Sequence, residues 1–198
     1  MPEEIFAAEV AANQANWEAR AMLHAKFSFY NVDRYVAEPE LISGVVEWDR
    51  RILGDVKGLD MLHLQFHIGT DSLSWARLGA RVTGLDFSRE SLRAAEELCR
   101  RAGAEVTFVQ GDVRRAHQLL KRQFDIVYTS VGVLCWLPDI YAWAEAVAAC
   151  VRPGGRFYIR GGHPLISTFE YGRDDTLLVC RSHYFTDGGW TGSYFRGW

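Results

Sequence analysis

Residues 59–69 read Leu-Asp-Met-Leu-His-Leu-Gln-Phe-His-Ile-Gly, and residues 82–88 read Val-Thr-Gly-Leu-Asp-Phe-Ser. The first stretch predicts a strand and a tight turn that opens a helix, and the second predicts a strand that ends in the carboxylate of Asp86. This order of elements places backbone N–H groups and a helix N-terminus beside a ligand, with an acid in reach of ribose hydroxyls. It predicts a nucleotide-type site, although the spacing Gly-x-Gly-x-x-Gly is absent because Gln65 and His67 precede Gly69.

Strand and helix signals alternate along the middle of the chain. Glycines punctuate the returns at Gly79, Gly103 and 153–155. This alternation predicts βαβ units and therefore an α/β fold with a parallel sheet. The predicted strands are 61–64, 81–85, 106–109, 124–129 and 156–160, and the predicted helices are 70–78, 89–102, 113–121 and 140–151.

The two ends of the chain show different patterns. Residues 3–23 are rich in Ala, Glu and Arg and predict a helix, and a second helix is predicted at 39–52. Residues 176–185 and 190–195 predict two strands of a β-hairpin, and no amphipathic helix follows the fifth predicted strand. We therefore expect a single globular domain with three parts, a helical cap (1–53), a cofactor-binding core (54–164) and a hairpin extension (165–198).

Several motifs together resemble one known family. They begin with His63-Leu-Gln-Phe-His-Ile-Gly-Thr-Asp71 and continue through Gly111-Asp-Val113, Phe124-Asp-Ile-Val-Tyr128, Leu134-Cys-Trp-Leu-Pro-Asp139 and Arg152-Pro-Gly-Gly-Arg156. Over roughly residues 13–165 the chain resembles the class I, Rossmann-like methyltransferases that depend on S-adenosylmethionine (SAM). Within that class it is similar to a bacterial branch whose first motif reads His-Leu-Gln-Cys-His-x-Gly-x-Asp, with Phe66 in place of the Cys.

The resemblance implies a Rossmann-like parallel sheet with helices on both faces. Relatives of this fold continue after the fifth strand with a helix and two more strands. This sequence therefore predicts a sheet that either lacks its last two strands or replaces them with the C-terminal hairpin.

Composition limits the possible partners. The formal net charge is −3 and no Lys/Arg run is present, so we expect no nucleic-acid partner. The apolar runs are too short to span a bilayer, and the acidic N-terminus has no leader pattern. Four scattered cysteines without a Cys-x-x-Cys pair predict reduced thiols and a cytoplasmic protein. A homodimer is left open.

The resemblance implies that two aspartates hold the nucleoside of SAM. Asp86 would accept hydrogen bonds from the ribose hydroxyls, and Asp112 would meet the adenine amino group, with the N–H of Val113 nearby. Each aspartate has a structural alternative, because each precedes a predicted helix and either one would serve as a plain N-cap.

The predicted turn carries further candidates for cofactor binding. Gly69 would let the backbone approach the cofactor, or it is an ordinary turn glycine. Asp71 would contact the cofactor, or it stabilises the first helical turn through the helix dipole. His67 would donate to the methionine part, or it orders the turn. No metal site is expected, because no third ligand accompanies His63 and His67. The remaining cofactor-binding candidates are Gln65, Phe87 and Ser130.

Two residues are candidates for catalysis. Trp136 follows the fourth predicted strand, where the resemblance implies substrate-facing residues, and its ring would suit a sulfonium; the alternative is a core tryptophan. His163 would be a general base, or a structural histidine, and glycines stand where the family pattern often has an acid before His-Pro.

The N-terminal segment supplies a possible lid. In the resembling proteins such a segment folds over the cofactor, which implies that Tyr30 and His24 contact it, and Trp17 with less support. The alternative is a helix that packs one stripe on the core.

Three functions are consistent with these residues. The first is a SAM-dependent methyltransferase acting on a small molecule. The second is a truncated, non-catalytic domain that binds the cofactor weakly or not at all. The third is an NAD(P)-dependent oxidoreductase, which is disfavoured because a pyrophosphate needs the missing glycines, whereas SAM carries no phosphate.

Overall fold

The computed structural model describes residues 6–129, 131–170 and 172–185. The chain forms two compact units, residues 1–160 and 161–198. In the first unit, the described residues form the helices α1 (Ala7–His24), α2 (Val32–Ala37), α3 (Gly44–Leu53), α4 (Thr70–Arg77), α5 (Arg89–Ala102), α6 (Ala116–Leu120) and α7 (Ile140–Cys150). The strands are β1 (Asp60–Leu64), β2 (Arg81–Asp86), β3 (Thr107–Gln110), β4 (Phe124–Thr129) and β5 (Val151–Ile159).

The five strands form one sheet in the order β3-β2-β1-β4-β5, and all four pairings are parallel. This confirms the predicted α/β, Rossmann-like class. The strand order reverses between β1 and β4, so the loops that follow these two strands leave in opposite directions. In open parallel sheets, ligands bind in the crevice at such a point.

Helices cover both faces of the sheet, as predicted. On one face Leu62, Leu64 and Val127 pack against α6 and α7. On the other face Met61, Ile126 and Tyr128 pack against α3 and α4, with Trp75 fully buried among them. All six residues of β4 are buried, which explains why its sequence is a nearly continuous apolar run.

Several predicted boundaries were wrong for local reasons. The second helix begins at Gly44 rather than 39, because the hydroxyl of Ser43 accepts from the N–H of Val46 and caps it. The short helix α2 was not predicted. It begins after Asn31, whose φ of 45° is left-handed. Strand β5 begins at Val151, because its pairing with β4 continues across a bulge at the Pro-Gly-Gly turn.

The second unit has little regular structure in its described part. A 3₁₀ helix spans Pro164–Thr168, and an isolated antiparallel bridge joins Phe169 to Cys180. The first predicted hairpin strand, 176–185, contains only this bridge, because its backbone hydrogen bonds go to residues 168–170. The second predicted hairpin strand, 190–195, lies outside the described residues. No helix in the described ranges is long and apolar enough to cross a membrane.

Candidate functional site

A cavity of about 550 Å³ lies at the carboxyl ends of the strands in the first unit. The residues that follow β1, β2, β3 and β4 all contribute to its wall, which is the position expected from the reversal of strand order. This volume is typical of a site for one small ligand. The polar residues that line it include Asn13, Tyr30, Tyr35, Ser43, Gln65, His67, Thr70, Asp71, Asp86, Asp112 and Arg114.

The turn between β1 and α4 has an unusual backbone. Gln65, His67 and Gly69 all have positive φ, at 55°, 57° and 84°. Non-glycine residues rarely adopt this conformation, and such residues cluster at functional sites. The N–H of Gln65 donates to the carbonyl oxygen of Leu85 at 2.8 Å, which fixes the turn to the end of β2.

Gly69 is required for packing within the protein. A Cβ at this position would lie 2.5 Å from the Cβ of Ala95 on α5, and the φ of 84° independently favours glycine. The close approach is therefore to a neighbouring helix, and Gly69 does not line the cavity. Phe66 is buried in the same region, with its ring 4.7 Å from that of Phe108 and against Gly84.

Asp86 lies buried at the end of β2 and connects the turn to α5. One carboxylate oxygen accepts from the N–H of Ser88 at 2.9 Å, and the other accepts from the N–H of His67 at 3.2 Å. Burial raises the pKa of Asp86 to about 6, and these hydrogen bonds oppose the rise. The backbone N–H of Phe87 also contacts this carboxylate, and a carboxylate offers about four acceptor positions, so acceptor capacity remains for a ligand. Ser88, not Asp86, caps α5.

Asp112 lines the cavity, and its carboxylate already has a partner. It accepts from the N–H of Arg114, so the predicted N-cap role is observed at the 3₁₀ helix Val113–Arg115. The guanidinium of Arg114 also contacts both carboxylate oxygens, at 2.6 to 3.1 Å. A ligand that contacts Asp112 would therefore also lie beside the guanidinium of Arg114. The sequence did not indicate this contact.

Gln65 and Asp71 present two more acceptors to the cavity. The side-chain oxygen of Gln65 is buried and has no hydrogen-bond partner among the described residues. A buried acceptor without a partner is costly, and in a cavity it fits a donor on a ligand. Burial raises the pKa of Asp71 to about 6, and the charge of Asp49 adds to this rise.

A buried hydrogen-bond cluster lies behind this part of the cavity. Asp49 of α3 is fully buried and accepts from the hydroxyls of Tyr128 and Tyr158, each at 2.7 Å, and from the guanidinium of Arg160. It therefore ties α3 to the carboxyl ends of β4 and β5. Burial lowers the pKa of the adjacent His63 to about 3, so His63 is a neutral core residue hydrogen-bonded to Ser72 at 2.8 Å.

Helix α1 contacts the residues that follow β2 and β4 at the edge of the cavity. The side chain of Asn13 donates to the carbonyl oxygen of Trp136 at 2.9 Å, and that of Gln14 donates to the carbonyl oxygen of Phe87 at 3.1 Å. Glu18 accepts from the N–H groups of Arg89 and Glu90, each at 2.8 Å. The helix is therefore held over the cavity by side chains that contact backbone atoms, as a lid would be.

Aromatic rings occupy the contact between α1 and the cavity. The rings of Trp17 and Trp136 meet edge to face at 5.2 Å, and the guanidinium of Arg20 lies 5.7 Å from each ring centroid. Trp136 lines the cavity and is not a core residue. Tyr30 lines it as well, 5.0 Å from the ring of His67.

Nine of the predicted site residues line this cavity: Tyr30, Gln65, His67, Asp71, Asp86, Phe87, Asp112, Val113 and Trp136. His24 does not line it and instead hydrogen-bonds to His67. Ser130 lies outside the described residues. His163 is in the second unit, where its Nδ1 accepts from the N–H of Leu165 and caps a 3₁₀ helix. Its proposed catalytic role stays a prediction.

Sequence reasoning missed the polar contacts of α1 and the segment after it. Asn13, Gln14 and Glu18 were not singled out, although their spacing on one side of an Ala-rich helix was a possible signal. Arg77 was also missed. Its guanidinium donates to the carbonyl oxygens of Tyr35, Glu38 and Leu41, which holds the segment between α2 and α3 against the core.

Across the described ranges, no group of three or more His, Cys, Asp or Glu side chains is arranged to hold a metal ion. The cavity is thus lined by carboxylates, amides and aromatic rings. Such a set suits an organic ligand with hydroxyl, amino and cationic groups.

Comparisons with known proteins agree with this geometry. Residues 62–157 match the model of a family described as a methyltransferase domain. The chain is 32% identical over 114 residues to the ubiquinone biosynthesis O-methyltransferase of Aeromonas salmonicida, a match that covers 58% of this chain and 48% of that protein. The chain therefore spans about half the length of the curated relatives it matches.

Two solved structures show the same fold. The DhpI–SAH complex is 28% identical with a TM-score of 0.56, and the match covers 77% of this chain and 68% of that one. The SAM-dependent methyltransferase of Geobacter sulfurreducens, solved with S-adenosyl-L-homocysteine, is 24% identical with a TM-score of 0.50 and supports the fold alone; the match covers 60% of this chain and 48% of that one. Residues 62–157 of this chain are thus similar to a methyltransferase domain, and the sheet has the class I, Rossmann-like fold.

Proposed function

We propose that this protein is a SAM-dependent methyltransferase that transfers a methyl group to a hydroxyl group of a small molecule. The observation that carries the proposal is the convergence of Gln65, Asp71, Asp86 and Asp112 on one cavity of about 550 Å³. The choice of oxygen as the acceptor atom is supported by relatives that are named O-methyltransferases.

The residues of the cavity fit the cofactor group by group. Asp86 keeps acceptor capacity for the ribose hydroxyls beside its hydrogen bonds from backbone N–H groups. Asp112 would accept from the adenine amino group in place of one of the hydrogen bonds from Arg114, which reach both carboxylate oxygens. The buried, unpartnered oxygen of Gln65 and the carboxylate of Asp71 would take the α-ammonium of the methionine part.

When bound, SAM supplies an electrophilic methyl group on a sulfonium, so the protein mainly needs to align the reactants and exclude water. The rings of Trp136 and Tyr30 would face the sulfonium, which aromatic faces attract. Helix α1 would exclude water from the cavity through its contacts with the residues that follow β2 and β4. The homodimer, the cytoplasmic location and the absence of a nucleic-acid partner stay predictions from the sequence.

Binding and turnover test the proposal in two steps. Isothermal titration of the full chain with S-adenosylhomocysteine is expected to give micromolar affinity, with NADH as the comparison ligand. Mass spectrometry should then detect methylated products when SAM is offered with a panel of phenols and catechols. Binding without any methylated product would favour the non-catalytic alternative, and preference for NADH would favour the oxidoreductase.

A further inference from the structure

His24 and His67 share a hydrogen bond that links the cavity to the lid helix. The Nδ1 atom of His24, at the end of α1, lies 2.8 Å from the Nε2 atom of His67 in the β1–α4 turn. His67 lines the cavity, whereas His24 does not and is only half-buried. The pair therefore forms a continuous polar path from the cavity towards solvent.

The geometry allows two arrangements of the shared proton. A neutral imidazole has one N–H donor and one acceptor nitrogen, so one ring must donate to the other. If His67 donates from Nε2, its Nδ1 is an acceptor for a ligand. If His24 donates from Nδ1, the Nδ1 of His67 carries a proton and cannot act as a base. The position of the shared proton therefore decides whether Nδ1 of His67 can accept a proton from a ligand.

We propose that His67 and His24 are a proton relay for the methyl acceptor, in which His67 accepts the acceptor's hydroxyl proton at Nδ1 and passes its Nε2 proton to His24. This inference rests on the proposed function and adds the substrate class, an acceptor that must lose a proton to be methylated. His67 is then a catalytic residue, and His24 acts through it.

The atoms and electrons balance over the step. The acceptor oxygen forms a bond to the methyl carbon, and the carbon–sulfur bond breaks with its electron pair returning to sulfur. The hydroxyl proton goes to Nδ1 of His67, the Nε2 proton of His67 goes to Nδ1 of His24, and His24 releases its Nε2 proton to water. Both rings end neutral, and exchange with water restores their tautomers after the product leaves.

The surroundings of the two rings disfavour a positive charge on His67. They therefore favour a relay, in which His67 passes a proton on as it accepts one. Burial lowers the pKa of His67 to about 3, with His24 and Arg20 contributing, so an imidazolium is unfavourable at that position. Burial and Arg20 also lower the pKa of the more exposed His24, which disfavours a positive charge there as well. Around the pair, Tyr30 and Trp17 contribute rings without charge.

The other acids that line the cavity already have protein partners or are assigned to groups of the cofactor. Asp86 accepts from two backbone N–H groups, one of which belongs to His67, and Asp112 is paired with Arg114. Asp71 is assigned to the ammonium group in the proposed function. His67 lines the cavity and has, in His24, a second partner that can carry the proton away.

Nitrogen-15 NMR of the full chain with S-adenosylhomocysteine tests the relay without any acceptor. At pH 7.5, long-range ¹H–¹⁵N spectra should show His67 protonated mainly on Nε2, with Nδ1 unprotonated. The exposed His183 serves as an internal reference for an unconstrained ring. His67 protonated mainly on Nδ1 would overturn the relay even if the cofactor binds, whereas a failure to bind would count against the proposed function itself.

Kinetics of a His24→Phe variant give a second readout, because the phenyl ring keeps the packing against Tyr30 and removes the hydrogen bond. With catechol as acceptor, kcat should fall at least tenfold while the KM for SAM changes less than threefold. With 4-nitrocatechol, whose hydroxyl is far more acidic, the loss should be less than threefold. Equal losses with both acceptors would show that His24 is merely structural.

Discussion

Glu18 on α1 accepts a hydrogen bond from the backbone N–H of Glu90 at 2.8 Å, so a carboxylate of one helix caps the N-terminus of another. The N–H of Arg89 and the hydroxyl of Ser88 donate to the same carboxylate. Because α5 starts three residues after Asp86, this cap connects the lid helix to the proposed ribose site.

Replacing Glu18 by Ala should lower the free energy of unfolding by about 1 kcal/mol, the usual effect of losing an N-cap. Glu9→Ala is the matched control, because Glu9 is exposed on the same helix. Burial alone would raise the pKa of Glu18, but the hydrogen bonds from Glu90, Arg89 and Ser88 outweigh it and lower the pKa. The difference in free energy of unfolding between wild type and variant, measured by urea denaturation, should therefore be largest at pH 7 and decrease as the pH falls below 4.5. Equal stability of both at pH 7 would contradict the cap.

Asp86→Asn should lower the affinity for S-adenosylhomocysteine at least tenfold at pH 7, because hydrogen bonds to a charged acceptor contribute about 1.5–3 kcal/mol each. The pKa of Asp86 is raised to about 6, so the ionised form that accepts both ribose hydroxyls predominates only above that pH. Wild-type affinity in isothermal titration should thus rise between pH 5 and 7, and the rise should be smaller in the variant. An unchanged affinity of the variant at pH 7 would contradict the proposal that Asp86 binds the ribose hydroxyls.

Asp71→Asn should weaken the binding of a ligand that carries the amino-acid part of the cofactor, and should leave the binding of the nucleoside part almost unchanged. The affinity for S-adenosylhomocysteine is expected to fall at least tenfold, because the carboxylate would pair with the α-ammonium. Methylthioadenosine, which lacks the amino-acid part, should bind both proteins within a factor of two. If titration shows equal losses for the two ligands, Asp71 has a general structural role instead.

Gly69→Ala should destabilise the protein by about 3 kcal/mol, because the left-handed backbone costs about 1–2 kcal/mol and overpacking adds about 1–3 kcal/mol. The new methyl group would lie 2.5 Å from the Cβ of Ala95. Gly103→Ala is the control. Its φ is also positive, at 66°, and a Cβ there meets nothing within 4 Å, so only the backbone cost applies. Similar losses for both variants in urea denaturation would contradict the packing role.

Local sequence patterns were enough to predict the order of the sheet-forming elements, the turn after β1 and the carboxylate at the end of β2. These features are local: apolar runs predict buried strands, and a residue at the end of a parallel strand must lie at the ligand-binding edge. That is why nine predicted site residues line one cavity. The same local reasoning missed α2 and misplaced the start of α3, because caps and turns decide helix boundaries.

Contacts between residues that are far apart in the chain could not be predicted in this way and emerge from the packing of the folded chain. His24 and His67 are 43 residues apart, and Asp49 meets Tyr128 across 79 residues. Nothing in local periodicity encodes such pairs, because they depend on how helices pack on the sheet. The same holds for Gly69, whose need for glycine comes from its backbone conformation and from the position of Ala95 on a neighbouring helix. A one-dimensional pattern fixes which face of an element is buried, and only the packed chain fixes what that face touches.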